Sequence, residues 1–162
     1  HLRENFIERV FAYRRLRTLF AGRWKLGELV AFHTAHKLLL MAHSPRAYAS
    51  LGRLVADGKA LPRLELRSRY EADFMEALAE MATTRRQTNV LQHITGYLRP
   101  HLDEDSRGEL LSLINDYRRG LVPLVVPLTL IRYFLRRFQI PYLGDQVYLE
   151  PHPKELMLRN HV

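Results

Sequence analysis

Apolar side chains recur every three or four positions along most of this chain, the period of a helix rather than of a strand. Leu2, Phe6, Val10, Tyr13, Leu16 and Phe20 open the series, and Gly22 ends it. A second helix is predicted over residues 26–42, stopped by His43, Ser44 and Pro45. Ser44 ahead of Pro45 reads as an N-cap with proline at the first helical position, so a third helix follows over 45–56. Asp57 to Pro62 reads as a loop. Leu66, Tyr70, Phe74, Leu78 and Met81 give a fourth helix, with Glu71, Glu76 and Glu80 on its outer side. A fifth spans 86–98 and stops before Pro100. The sixth, over 105–119, has acidic residues at its start, Asp103 and Asp105. Arg118 and Arg119 lie in its last turn, and both signs suit the helix dipole. The seventh spans 123–138, where Pro127 costs an interior hydrogen bond unless the helix bends or starts late. From Pro141 the pattern breaks into a short turn over 143–149 and a helical stub over 154–159. No alternating strand pattern and no internal repeat is found. The expected fold is all-α, a single-domain bundle of about six to eight helices over residues 1–162.

Composition narrows the chemistry. The chain is 47% hydrophobic and 26% charged, ordinary for a folded protein, and long enough for a sizeable core. It contains no cysteine, which removes disulfides, thiolate metal sites and cysteine nucleophiles from this chain and agrees with a cytoplasmic location. The net charge is +8, and 21 of the 25 basic residues are arginine. Arginine binds phosphate bidentately and stacks on bases, which fits nucleic acid or nucleotide as a partner. GC-rich coding produces the same bias. The longest apolar run, 121–131, contains Pro123 and Pro127 and is too short to span a bilayer. The chain opens on His1 rather than Met and enters a helix at once, as expected of a piece of a longer polypeptide.

The candidate chemistry concentrates in FHTAHKLLLMAHSP. On one helix His33, His36 and His43 fall within about 80° of one another, with Lys37 beside them. Such a stripe serves as an anion site, a metal site or a polar network in the core. A metal would need a further ligand such as His93 or His101, because the nearest upstream carboxylate is Glu28. Asn89, Gln92 and His93 form a second cluster, suited to a base edge or to an ordered network. Asp116, Tyr117, Arg118 and Arg119 form a third. The tail residues His152, Arg159, Asn160 and His161 read either as a solvated end or as a lid folded back on the core. Arg14, Arg15 and Arg17, and Arg132, Arg136 and Arg137, form basic stripes that would track phosphates if they converge. No Walker loop, dinucleotide fingerprint, HExxH or Gly-x-Ser-x-Gly elbow is present. Ser44 beside His43 is the one candidate nucleophile, and capping explains it better.

Four strings in order, LVAFHTAHKLLLMAHSPRAY, TNVLQHITGYL, YRRGLVPLVVPLTLIRYF and YLEPHPKELMLRNH, resemble the YbgA-type domain of unknown function. In that family the domain occurs alone or as the C-terminal half of proteins whose N-terminal half looks like a thiouracil desulfidase. The resemblance implies an accessory role beside sulfur removal from thiolated uracil or tRNA-derived thiouridine. The iron–sulfur cluster would then belong to the partner domain, with no cofactor or metal in this chain. The expected function is binding of RNA or nucleotide. Lys37, Arg118 and Arg159 would contact phosphate, and His33, His36, His43, Asn89, His93, Asn160 and His161 would complete the substrate-binding set. An independent histidine-based enzyme and a protein-interaction scaffold are the alternatives.

Overall fold

A computed structural model describes residues 1–156 and 159. Among them there are nine α-helices and no strand: α1 (Leu2–Phe20), α2 (Leu26–Ala35), α3 (Lys37–His43), α4 (Pro45–Ala56), α5 (Arg63–Ala79), α6 (Thr84–Leu98), α7 (Glu104–Arg118), α8 (Val125–Arg137) and α9 (Pro141–Gly144). The fold is therefore all-α, as expected. One predicted helix is divided in two at His36, and a short helix is added at Pro141.

The starts of the helices follow from capping. Ser44 accepts a hydrogen bond from the Ala47 N–H at 3.4 Å and Pro45 takes the first position of α4. Thr83 and Asp103 cap α6 and α7 in the same way, so these helices begin slightly earlier than their apolar periods suggest. The α8 helix starts late, at Val125. Pro127 is then its third residue, where an N–H would have no intrahelical partner, and no helical bond is lost.

The α3 helix is the axis of the fold. Leu38, Leu39, Leu40, Met41 and Ala42 are all buried, so every face of this helix needs a covering neighbour. The α4, α5 and α6 helices supply the cover. Beyond them α1 lies along α5, α7 packs on α6, and α8 on α7. The chain then returns, and a 3₁₀ turn at Val147–Leu149 packs back onto α3.

Two local features depart from the sequence pattern. The apolar series of α1 faces outward in its first half: Leu2, Phe6, Val10 and Tyr13 are exposed, Phe6 by 60%. The buried face carries Asn5, Glu8, Ala12, Leu16 and Phe20 instead. The break between α2 and α3 is the second. A continuous helix would pair the Leu38 N–H with the Thr34 carbonyl. Here the side-chain amide of Gln146 stands between them. The Leu38 N–H donates to its Oε1 at 3.2 Å, and its Nε2 donates to the Thr34 carbonyl at 2.7 Å. The helix thus opens by one residue without leaving either backbone group unpaired.

Candidate functional site

The three histidines of the FHTAHKLLLMAHSP segment do share one side, and that side is internal. His33, His36 and His43 are 3%, 2% and 1% exposed. They engage α1 and α5 at successive levels. His33 Nδ1 lies 3.0 Å from the Tyr70 hydroxyl of α5. His36 donates from Nδ1 to the Phe32 carbonyl at 2.7 Å and accepts at Nε2 from Arg15 Nε of α1 at 3.0 Å. Its ring stacks on Phe32 with centroids 4.0 Å apart. His43 faces the Glu80 carbonyl from Nδ1 at 2.7 Å and the Glu8 carboxylate from Nε2 at 3.0 Å.

Burial dominates the electrostatics of this seam. It lowers His33 to about 4, with the Lys37 charge adding to the effect. His36 falls to about 3, chiefly by burial; its bond to the Phe32 carbonyl opposes this and the Arg15 charge reinforces it. Arg15 is itself lowered to about 10 by burial, against the pull of Glu8. Glu8 goes the other way. Burial alone would raise its carboxyl, but Arg159 and His43 outweigh it and hold Glu8 at about 2.

Arg159 is the anchor of the tail. Its backbone takes φ 68°, in the left-handed region. Its Nη2 and Nε donate to one Glu8 oxygen at 2.8 and 3.2 Å, and Nη1 donates to the Tyr148 carbonyl at 2.6 Å. The guanidinium also lies 4.8 Å from the centre of the Tyr148 ring. Its carbonyl accepts from the Val125 N–H at 3.0 Å, at the start of α8. The Tyr148 hydroxyl donates to Gln87 of α6. A cavity of about 80 Å³ borders this network, lined in part by Asn5, Glu8, His43, Gln87, Tyr117 and Arg159. It is large enough for a few waters. Both His43 nitrogens are committed to Glu80 and Glu8, so neither is left to take a substrate proton. Ser44 is committed too: it donates to Glu80 Oε1 at 2.7 Å while capping α4.

Asn89, His93 and Arg118 lie elsewhere, on an open face. Asn89, Gln92, His93, Gly96 and Tyr97 line one shallow, open depression along α6. Thr84, Arg85, Thr88, Asn89, Gln92 and Arg118 line a second, which shares Asn89 and Gln92 with the first. Arg118 donates to Asn115 Oδ1 at 2.8 Å and is otherwise exposed. Lys37 is on neither surface; it stands at a separate groove beside His33. The expected ten-residue set is thus divided into a buried seam, the α6 face and the Lys37 groove. Asn160 and His161 lie outside the described residues.

The basic stripes also divide. Arg132 turns inward and donates through Nε to the Leu149 carbonyl at 3.0 Å, while Arg136 and Arg137 flank the exposed Tyr133 ring at 6.0 and 5.9 Å. Among the described residues no three histidines and carboxylates gather to hold a metal ion, and no helix is long and apolar enough to cross a membrane. Sequence reasoning missed Glu8, Gln87, Gln146 and Tyr148. Glu8 carried one usable signal, since it lies on the same helical stripe as Ala12 and Leu16.

An all-α bundle with this internal histidine seam defines the class of domain. The chain belongs to the family described as protein of unknown function (DUF1722), which it matches over residues 37–153. It is 36% identical over 153 residues to the uncharacterized protein YbgA of Escherichia coli K12, covering 94% of this chain and 90% of that protein. No solved structure matches.

Proposed function

We propose that this chain is an accessory domain that binds RNA along the exposed face of α6. One observation carries the reading: two adjoining grooves on that face bring together Arg85, Arg118, Asn89, Gln92, His93 and Tyr97, with no carboxylate in either lining. Arginines suit phosphates, amide and imidazole groups suit base edges, and an exposed tyrosine offers a stacking platform for an unpaired base. The net charge of +8 supplies the long-range attraction. Unpaired stretches of tRNA are the substrate class that the family resemblance favours. A desulfidase-like domain in the same polypeptide would then act on the thiolated uracil so held.

Filter binding to tRNA at rising salt tests the proposal. Replacing Arg85 and Arg118 together by alanine removes two phosphate contacts and reduces the slope of log affinity against log salt by about 1.4. Tyr97→Ala weakens binding by about 1–3 kcal/mol at every salt. Absence of binding at low salt, or an unchanged slope in the arginine variant, refutes the α6 face as the RNA site.

A second reading, that the chain chiefly docks on a partner domain, is favoured by the outward apolar stripe Leu2, Phe6, Val10 and Tyr13 on α1. Phe6→Asp in the two-domain polypeptide would then separate the domains and leave RNA binding by this one intact. Limited proteolysis at the junction reads the difference.

A further inference from the structure

The groove that holds Lys37 lies between α2 and α4 and is independent of the RNA reading above. Leu26, Val30 and Val55 form its apolar side, and Lys37, Lys59 and His33 its polar side, in a volume of about 330 Å³. That size is in the range of small-molecule sites. No salt bridge is made by Lys37 or Lys59 among the described residues, and no carboxylate lines the groove. Two ammonium groups therefore share a concave surface whose lining holds no carboxylate.

The buried imidazole of His33 supplies a separate observation. Its Nε2 is enclosed and has no hydrogen-bond partner in the protein, which is rare for a buried polar atom and calls for an explanation. The ring is 3% exposed, and its other nitrogen faces Tyr70. Among the described hydrogen bonds, the Tyr70 hydroxyl has no acceptor other than His33 Nδ1. The tautomer that uses both groups has Tyr70 donating to Nδ1 and the proton on Nε2. A neutral donor is thus held ready at the end of a basic groove. Gly52 of α4 stands directly over it: a Cβ at that position would lie 3.8 Å from Nε2. Gly52 presents no side chain beside the nitrogen.

We propose that the groove between α2 and α4 is a binding pocket for a phosphomonoester, its oxygens held by Lys37, Lys59 and the Nε2–H of His33, its apolar body against Leu26, Val30 and Val55. Two ammonium charges match a phosphomonoester near its second ionisation better than a singly charged carboxylate. The neutral N–H adds a directed bond that a solvated lysine pair lacks. The phosphate belongs either to a free small molecule or to the end of an RNA chain.

Titration calorimetry and imidazole ¹⁵N spectra test the pocket, with phenyl phosphate as one probe and a trinucleotide with and without its 5′-phosphate as the other. The expected result is 1:1 saturation with a selective shift of His33 Nε2. Lys37→Gln weakens binding by about tenfold. Gly52→Ala does the same while the protein melts at or above the wild-type temperature, because alanine is the better helix former and meets only ordinary van der Waals contact there. Saturation by phenyl phosphate assigns a free phosphomonoester. Saturation by the 5′-phosphorylated trinucleotide alone, and not by its 5′-hydroxyl form, assigns an RNA end. No saturation by either probe, or saturation undiminished in both variants, overturns the proposal.

Discussion

Mild acid should unfold this protein, and the buried histidines set where. His33 and His36 stay neutral in the fold down to about 4 and about 3, against an ordinary 6.5. The unfolded chain takes up both protons near 6.5, so below that pH it binds more protons than the folded state. Stability is full above pH 6.5 and falls as the pH drops toward the folded values. Each ring contributes about 1.4 kcal/mol per pH unit, so the pair gives a slope of about 2.7 kcal/mol per unit. At a pH of about 5 the loss is about 4 kcal/mol, a large share of the 5–15 kcal/mol typical of a domain. Glu8 begins to contribute only lower. Its carboxyl is held at about 2 against 4.5, so its stabilisation is complete above 4.5 and is lost as the pH falls toward 2. Urea titrations followed by circular dichroism from about pH 7 to 5 measure the slope directly, in the wild type and in a His33→Gln, His36→Gln variant. The variant starts less stable, because it loses the bonds to Tyr70 and Arg15. Its stability nonetheless falls much less steeply with pH in that interval, with His152, also lowered by burial, left to contribute. A flat wild-type profile, or the same slope in the variant, would show that the rings are not held neutral by burial.

Two further substitutions probe the fold. Gln146→Leu leaves the Leu38 N–H and the Thr34 carbonyl without their bridge and should cost about 2–5 kcal/mol in urea unfolding. A loss below about 1 kcal/mol would mean that α2 and α3 can close into one helix unaided. Glu8→Gln leaves the buried Arg159 guanidinium without its counter-charge and should cost about 3–5 kcal/mol. Adding Arg159→Met to Glu8→Gln should recover part of that loss. Simple addition of the two effects would show that the groups do not act as a pair.

Where structure is decided within a few residues, the sequence announces it. Ser44–Pro45 caps α4 where it should, because capping involves only neighbouring backbone groups. The exposed α6 cluster was legible for the same reason, since Asn89 and His93 are one turn apart. The break at His36 was not legible, because the side chain that fills it lies 108 positions beyond Leu38. The histidine stripe could be seen but not its direction. Its partners Glu8, Arg15 and Tyr70 sit on two other helices, and nothing local distinguishes an imidazole awaiting a ligand from one already paired. On α1 the larger apolar stripe drew attention to Leu2, Phe6 and Val10. The core instead takes the face whose acid has a base waiting for it.

The bridge at Gln146 also fixes an order of events. A ribosome makes α2 and α3 long before it makes the amide that completes them, and Glu8 emerges 151 residues ahead of its Arg159 counter-ion. The nascent chain therefore carries an open helix joint, and an internal acid that has only His43 for a partner, until Gln146 and Arg159 are made. Such distant closures disfavour early commitment and tie folding to synthesis of the segment that carries Gln146 and Arg159. A chain stalled or clipped before Gln146 would hold its leucine-rich centre unsealed, a state that chaperones and proteases recognise.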